Sequence, residues 1–138
     1  MLISARNQIK GKVEKVVDGA VNSRVVLDAD GVKISATITD AAVAELGLEA
    51  GKAATAIIKS TSVMVKKGGV VDGLSARNQI AGTVDAVEEG AVSAVVKIKA
   101  AFGIISANIT LDAAKELGLA AGDEVVAIVK STDVMVAA

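Results

Sequence analysis

Hydrophobic and polar residues alternate over much of the segment from Asn7 to Ile38, which is the pattern of half-buried β-strands. The clearest stretch is Val32–Ile38, in which every second residue is Val, Ile or Ala and the others are Lys, Ser or Thr. Turn signals at Asp18-Gly19 and at Asp28–Gly31 interrupt the alternation. The pattern therefore predicts three strands, over residues 7–17, 20–27 and 32–38.

The period changes at Asp40, where an Ala-rich segment places Val43 and Leu46 three residues apart. Such spacing predicts a short helix over 40–46, with Thr39 or Asp40 as its N-cap and Gly47 as its C-terminal stop. Two further strands are predicted after the helix, over 53–58 and 63–65.

The whole pattern occurs twice. The hexapeptide Ser4–Ile9 recurs at Ser75–Ile80, and the same shift along the chain aligns 4–65 with 75–136 without a gap and with 34 identities. The chain is therefore a tandem repeat of one small unit. In the second unit we predict strands near 78–88, 91–99, 103–109, 124–129 and 134–136, and a helix near 112–117.

Five short strands with a helix between the third and the fourth is the order of an OB-type barrel. We predict a mainly β protein of two tandem OB-type five-stranded β-barrels, each with one short helix. The first unit would span 1–66, the linker 67–73 and the second unit 74–138. The linker is short, so the two barrels are expected to be neighbours. Met64 and Met135 are expected to fill the cores.

Composition narrows the chemistry that the chain can support. The sequence has no Cys and no His, which removes disulfides, thiolate chemistry and most transition-metal sites. No long uninterrupted apolar run and no signal-peptide pattern is present, so we expect a cytoplasmic protein without a membrane partner. Each unit is small and aliphatic, and 52% of the chain is hydrophobic, which favours oligomerisation.

Net charge is −1, but residues 1–70 carry +3 and residues 71–138 carry −4. The extra cations of the first unit are expected to form a solvated face; they are Lys10, Lys12, Lys15 and Arg24. The overall charge argues against a nucleic-acid partner. So does the single aromatic residue, Phe102, because single-stranded nucleic acids are bound on stacked aromatic rings.

Both copies keep the same hydrogen-bond donors. Each unit begins with Ser-Ala-Arg, ends with Lys-Ser-Thr, and has a Thr at the strand-to-helix junction. Arg offers a planar fork, Lys a point charge, and Ser or Thr an adjustable hydroxyl. A set made only of donors, two of them cationic, suits a fully ionised tetrahedral oxyanion.

These motifs resemble the Mop domain of molybdate-binding proteins, and two such units resemble the di-domain molbindins. The residues that carry the resemblance are Ser-Ala-Arg-Asn-Gln, Gly-Ala-Val, Ile-Thr, Leu-Gly-Leu-x-x-Gly and Ile-[Ile/Val]-Lys-Ser-Thr. Many relatives carry Lys-Ala-Pro-Trp at the last motif, where this chain has Lys-Ser-Thr.

The resemblance implies a homotrimer that binds molybdate or tungstate between domains and stores or buffers it, with no organic cofactor. The implied oxyanion-binding residues are Ser4, Arg6, Thr39, Lys59, Ser60, Ser75, Arg77, Thr110, Lys130 and Ser131. Further sites around a three-fold axis would involve Ala20, Val21, Asn22, Ala91, Val92 and Ser93. The change from Asn22 to Ser93 puts the equivalence of the two halves in doubt there.

Structural roles compete with these assignments. Ser4 could cap a turn, Thr39 is a good N-cap in any case, and lysines at strand ends are usually solvated. Arg6 and Arg77 could pair with Glu14 and Asp85 respectively.

Two other candidate ligands, Asn7 and Asn78, fit a structural role better than a ligating one.

Two other functions compete with oxyanion storage. One is a Mop-type sensor that acts through a partner protein. The other is an enzyme, which is disfavoured because the chain has no His, Cys or Tyr to act as base or nucleophile.

Overall fold

A computed structural model of the protein describes residues 2–138. Within that range each half contains five strands and one helix in the same order. The first half comprises β1 (Asn7–Val17), β2 (Asn22–Ala29), β3 (Val32–Thr39), α1 (Asp40–Leu46), β4 (Ala53–Ile58) and β5 (Met64–Lys67). The second comprises β6 (Asn78–Glu89), β7 (Ser93–Ala100), β8 (Gly103–Thr110), α2 (Leu111–Leu117), β9 (Glu124–Val129) and β10 (Met135–Ala137).

Local sequence signals set the ends of the helices. The Thr39 hydroxyl accepts a hydrogen bond from the Ala42 amide at 3.1 Å, and Gly47 ends α1 in the left-handed conformation. Thr110 and Gly118 do the same for α2. The predicted N-cap and stop of α1 are therefore confirmed.

Each half folds into an antiparallel five-stranded sheet that curves into a half-barrel. Strand β1 serves two partners, because residues 7–12 pair with β4 and residues 12–17 pair with β2. A bulge between Val13 and Lys15 bends the strand between the two pairings. Gly11 permits the close crossing, since a Cβ atom there would lie 2.5 Å from the Asp28 carbonyl oxygen. The mainly β architecture with two short helices is confirmed.

The two halves exchange their last strands. The sheet orders are β10-β4-β1-β2-β3 and β5-β9-β6-β7-β8, so each sheet contains one strand from the other half. Met135 pairs with Ile57, and Met64 pairs with Ile128. Each short 3-10 turn, Ser60–Ser62 or Ser131–Asp133, leads the chain into the sheet of the other repeat.

The exchange corrects the expectation that Met64 and Met135 fill the cores. Their exposed fractions are 47% and 43%, because the exchanged strands turn these side chains outward. Val65 and Val136, one residue further on, pack against the core instead.

Buried residues of both halves form one continuous hydrophobic cluster. Val63 and Val134, which precede the exchanged strands, are each only 2% exposed. The Lys67 ammonium at the end of β5 also donates to the Leu117 carbonyl oxygen at 3.0 Å, at the C-terminus of the other half's helix. The two repeats are thus joined by strands, by the core and by a helix cap.

Candidate functional site

The charged donors at the start and end of the first repeat lie side by side. Asn7 pairs with Ile58 in the β1–β4 ladder, so the residues before Asn7 and after Ile58 must be neighbours. They form a cleft of about 210 Å³. It is lined by Ser4, Ala5, Arg6, Lys59, Ser60 and Thr61.

The second repeat repeats this arrangement, because Asn78 pairs with Val129 in the β6–β9 ladder. That pairing brings Ser75 and Arg77 next to Lys130 and Ser131. The arginine and lysine side chains are exposed in both repeats. Strand pairing therefore gathers eight of the ten predicted residues into two clusters of four.

The structure does not show the alternative ion pairs considered for Arg6 and Arg77, with Glu14 and Asp85. Glu14 pairs with Lys33 at 2.5 Å. Within residues 2–138, no ion pair includes Arg6, Arg77 or Asp85. Both guanidinium groups are therefore available to an anion.

A second, more enclosed cleft of about 300 Å³ lies between the two halves, and we call it cleft A. The first half contributes Arg6 and Ser60, whereas the second half contributes side chains from β6, β7 and β8. Its lining residues are Arg6, Ser60, Glu88, Val95, Lys97, Ser106 and Asn108. The Lys97 ammonium and the Glu88 carboxylate form an ion pair of 2.9 Å within that lining.

Two buried asparagines hold the halves in this position. Asn7 donates through Nδ2 to the Ser106 carbonyl oxygen at 2.9 Å, and its Oδ1 accepts from the Ser106 amide at 2.8 Å. Asn78 makes the same pair of bonds with Ser35, at 2.8 and 2.7 Å. Their exposed fractions are 2% and 1%, so the structural interpretation of these residues is confirmed.

Thr39 and Thr110 lie farther from the charged clusters of their own repeats. Thr110 shares a face of β8 with Ser106 and Asn108, and it lies about 7 Å along the strand from Asn108. Because Ser106 and Asn108 line the cleft that contains Arg6, Thr110 is on the side of the first repeat's arginine. The corresponding strand β3 places Thr39 on the side of the second repeat's Ser131, since Thr37 contacts that hydroxyl at 2.8 Å.

The Gly-Ala-Val turns lie beside the helix starts. The Val21 carbonyl oxygen accepts from the Asp40 amide at 2.9 Å, and Asn22 pairs with Thr39. The Val92 carbonyl oxygen accepts from the Leu111 amide in the same way. The valines at the two turn tips are strongly exposed, at 71% and 82%. Both turn tips are therefore accessible surfaces, and neither contributes a lining residue to cleft A.

Sequence reasoning missed five of the seven lining residues of cleft A, namely Glu88, Val95, Lys97, Ser106 and Asn108. Val95 and Lys97 alternate on β7, and Ser106 and Asn108 alternate on β8, so these four share one face of the sheet; Lys97 pairs directly with Ser106. Glu88 lies on β6, where it pairs with Val95. No local signal showed that this face would meet the start of the first repeat. The contact depends on the asparagine bridges between the halves.

A larger open cleft of about 620 Å³ runs along residues 10–14 of the first repeat and contains none of the predicted site residues. Lys33 bridges Glu14 and Asp28 at its edge. The hydrogen bond from Lys33, with help from the Gly31 amide, lowers the pKa of Asp28. The hydrogen bonds to Asp28 and Glu14 raise the pKa of Lys33.

Within residues 2–138, no group of His, Cys, Asp or Glu side chains is arranged to hold a metal ion. None of the helices described has the length and apolar character needed to cross a membrane.

The TOBE domain model matches the chain twice, over residues 3–65 and 74–136. The chain belongs to the TOBE-domain family. Its two copies are tandem Mop domains, so the resemblance that the motifs carry is confirmed. The matched segments coincide with the two repeats, and each includes one Ser-x-Arg start and one Lys-Ser-Thr end.

Curated relatives match the whole chain or one repeat. The molybdenum transport protein ModE of Herbaspirillum seropedicae is 40% identical over 139 residues, which cover 99% of this chain and 52% of that protein. A probable molybdenum-pterin-binding protein of Haemophilus influenzae is 58% identical over 66 residues, or 47% of this chain and 96% of that protein. The chain thus spans about half the length of some of its curated relatives.

A solved structure matches the full architecture. The cytoplasmic molybdate-binding protein ModG, solved with molybdate bound, superposes with a TM-score of 0.94 at 38% sequence identity. The match covers 99% of this chain and 98% of that one. The named relatives are transport and binding proteins.

Proposed function

We propose that this protein binds molybdate or tungstate as an intact oxyanion and stores or buffers it in the cytoplasm. The observation that carries the proposal is the cleft in which Arg6, Lys59 and Ser60 converge. It supplies two cations and a hydroxyl to a group that carries two negative charges and accepts hydrogen bonds at every oxygen. The molybdate-bound ModG structure, with its TM-score of 0.94, supports the choice of ligand.

The proposed oxyanion-binding residues remain the ten named from the sequence. Ser4, Arg6, Lys59 and Ser60 form one cluster, and their counterparts in the second repeat form the other. Thr39 and Thr110 would reach an anion from the opposite half, because each lies on the face of its strand that meets the other repeat. The Gly-Ala-Val turns are proposed as secondary sites.

The proposal is tested by metal content and by titration. Protein purified after growth with molybdate should contain molybdenum, and apoprotein should release heat when molybdate is added in a calorimeter. Sulfate is the matched control, because it is also a tetrahedral dianion but is smaller. No retained molybdenum and no heat with either molybdate or tungstate would reject the proposal.

We further propose a homotrimer whose copies enclose the oxyanions. The cations of both clusters are exposed in a single chain. The exposed turn valines, Val21 and Val92, offer apolar contacts for other copies. Light scattering should give three times the 13.7 kDa mass of one chain. A stable monomer at micromolar concentration, with and without molybdate, would exclude the trimer.

A second candidate function is a sensor module that acts through a partner protein. It is supported by the fact that the two-repeat unit covers only about half of the longer relative ModE. Storage and sensing differ in one measurable respect. A sensor requires a partner whose affinity for this protein changes when molybdate is bound, whereas a store requires only release of the anion. In either role the protein is proposed to bind without catalysing a reaction.

A further inference from the structure

The internal repeat implies a counterpart of cleft A on the other side of the interface between the halves, and we call it cleft B. In the repeat correspondence, Arg77 and Ser131 take the places of Arg6 and Ser60. Residues of β1, β2 and β3 in the first half take the places of those that β6, β7 and β8 contribute to cleft A. The lining of cleft B by this correspondence is Val17, Arg24, Val26, Ser35, Thr37, Arg77 and Ser131.

The strand registers support this correspondence. Val17 pairs with Arg24 in the β1–β2 ladder, as Glu88 pairs with Val95 in the β6–β7 ladder. Arg24 then pairs with Thr37, as Val95 pairs with Asn108. Equivalent residues therefore occupy equivalent places on the two sheets.

Contacts between the halves show that the residues of cleft B from the two repeats lie next to each other. The Asn78 side chain binds the Ser35 backbone through two hydrogen bonds, and the Thr37 and Ser131 hydroxyls lie 2.8 Å apart. Arg24 stands directly opposite Thr37, so their side chains share one face with Cβ atoms about 4.5–5.5 Å apart. The half-buried Arg24 is therefore a direct neighbour of Thr37, the residue whose hydroxyl contacts that of Ser131.

The chemistry of the two clefts differs despite the shared fold. Cleft A contains two cations, Arg6 and Lys97, and one carboxylate, Glu88, which is already paired with Lys97. By the repeat correspondence, the lining of cleft B includes two arginines and no carboxylate. Within residues 2–138, neither Arg24 nor Arg77 takes part in an ion pair.

The carboxylate of Glu88 and the guanidinium of Arg24 have opposite effects on the affinity for a dianion. A carboxylate repels the anion and has no proton to donate to it, whereas a free guanidinium offers several donors and a full charge. We infer that the two clefts are not equivalent binding sites: cleft B takes a bare dianion first because of Arg24, and cleft A takes it more weakly because of Glu88. This inference rests on the proposed oxyanion binding and assigns specificity to two residues outside the repeated motifs.

The repeats supply the variants for the test. Arg24→Val gives the first repeat the residue that the second repeat has at that position, and Val95→Arg does the reverse. Glu88→Val likewise introduces the residue found at position 17. Each replacement is a residue that the same fold already accommodates in its other copy. Lys10→Ala is the matched control, since it also removes one exposed cation from the first repeat but lies outside both clefts.

Calorimetric titration with sodium molybdate should resolve a tight and a weak class of sites in the unaltered protein. Arg24→Val should weaken the tight class by about tenfold or more, the usual effect of losing one charge-assisted hydrogen bond. Val95→Arg and Glu88→Val should strengthen the weak class, and Lys10→Ala should change neither. At a limiting tungstate concentration, anomalous scattering from crystals should be stronger beside Ser131 than beside Ser60.

Two outcomes would overturn the inference while leaving the proposed function intact. The first is a single class of molybdate sites that Arg24→Val does not alter. The second is an equal loss of affinity in Arg24→Val and Lys10→Ala, which would show a general charge effect. Absence of molybdate binding in the unaltered protein would instead reject the proposed function and the inference together.

Discussion

Asn7 and Ser106 exchange two hydrogen bonds across the interface between the repeats, at 2.9 and 2.8 Å. The asparagine side chain mimics a neighbouring strand, because it offers one donor and one acceptor to the open edge of β8. The bond pair places the start of β1, and with it Arg6, against the sheet of the other half. A residue next to the candidate site is thus one of those that hold the two halves together.

Replacing Asn7 with Leu should destabilise the protein by about 2–4 kcal/mol, because the Ser106 amide and carbonyl groups lose their partners in a buried place. Chemical denaturation monitored by circular dichroism measures the change. Gln8→Ala is the control, since Gln8 is the exposed neighbour and makes only a 3.3 Å bond to the Ala5 carbonyl oxygen. Equal stability of the two variants would contradict the role assigned to Asn7.

Local signals predicted most elements from the sequence. Helix α1 was predicted with the bounds that the structure shows, because the Thr39 cap and the Gly47 stop act within a few residues of the helix. Strand β4 was predicted equally well from its apolar run. The bulge after Val13 was not predicted, because it is defined by the register of β1 against β2, a separate strand.

The strand exchange could not be predicted, because the two repeats are too similar. Strand β5 could pair with β4 or with β9, and these offer nearly the same apolar surface: Ala56 and Ile57 recur as Ala127 and Ile128. The choice depends on how the 3-10 turn directs the chain, which no residue pattern reveals.

The clusters of hydrogen-bond donors were predictable because both repeats keep them. Lys97 and Glu88 were not predictable, since the first repeat has other residues at the equivalent positions.

Removing residues 134–138 should destabilise the first half as well as the second. The truncation deletes β10, leaves β4 with an open edge and removes the buried Val134. Burial of that valine alone contributes about 1.5–3 kcal/mol, so the total loss should be at least about 3 kcal/mol. Hydrogen exchange should show new exposure within residues 55–57, which pair with β10. Removal of Ala138 alone is the control, because that exposed residue lies beyond the strand. Unchanged protection of β4 in the longer truncation would contradict the exchange.

The ion pair between Lys33 and Asp28 should stabilise the folded protein only at pH values where the Asp28 carboxylate is ionised. Because the hydrogen bond from Lys33 lowers the pKa of Asp28 below 3.8 in the folded state, the stabilisation is complete above about pH 4. It is lost as the pH falls through the lowered pKa, where the carboxylate becomes protonated. Lys33→Met should therefore lower the melting temperature slightly at pH 6, and the difference should shrink toward pH 2.

Lys12→Thr is the matched control for this effect. Lys12 is an exposed lysine of the same repeat, threonine is its counterpart in the second repeat, and no ion pair within residues 2–138 includes it. Its replacement should leave the shape of the pH profile unchanged. A Lys33→Met difference that stays constant from pH 6 to pH 2 would show that the ion pair does not contribute.

Arg6→Ala and Arg77→Ala should each weaken molybdate binding while the fold is retained. Each arginine is exposed and, within residues 2–138, neither forms an ion pair. Truncation therefore removes a hydrogen-bond donor to the anion without breaking an internal ion pair. Loss of one charge-assisted hydrogen bond costs about 1.5–3 kcal/mol, which corresponds to about a tenfold to hundredfold loss of affinity. Calorimetry measures the affinity, and the unfolding midpoint measures the stability.

Lys15→Ala is the control, because it removes an exposed cation that lines neither of the two clefts that contain Arg6. Unchanged affinity and stoichiometry in the double arginine variant would show that the site lies elsewhere, and a loss of stability alone would show that the arginines are structural.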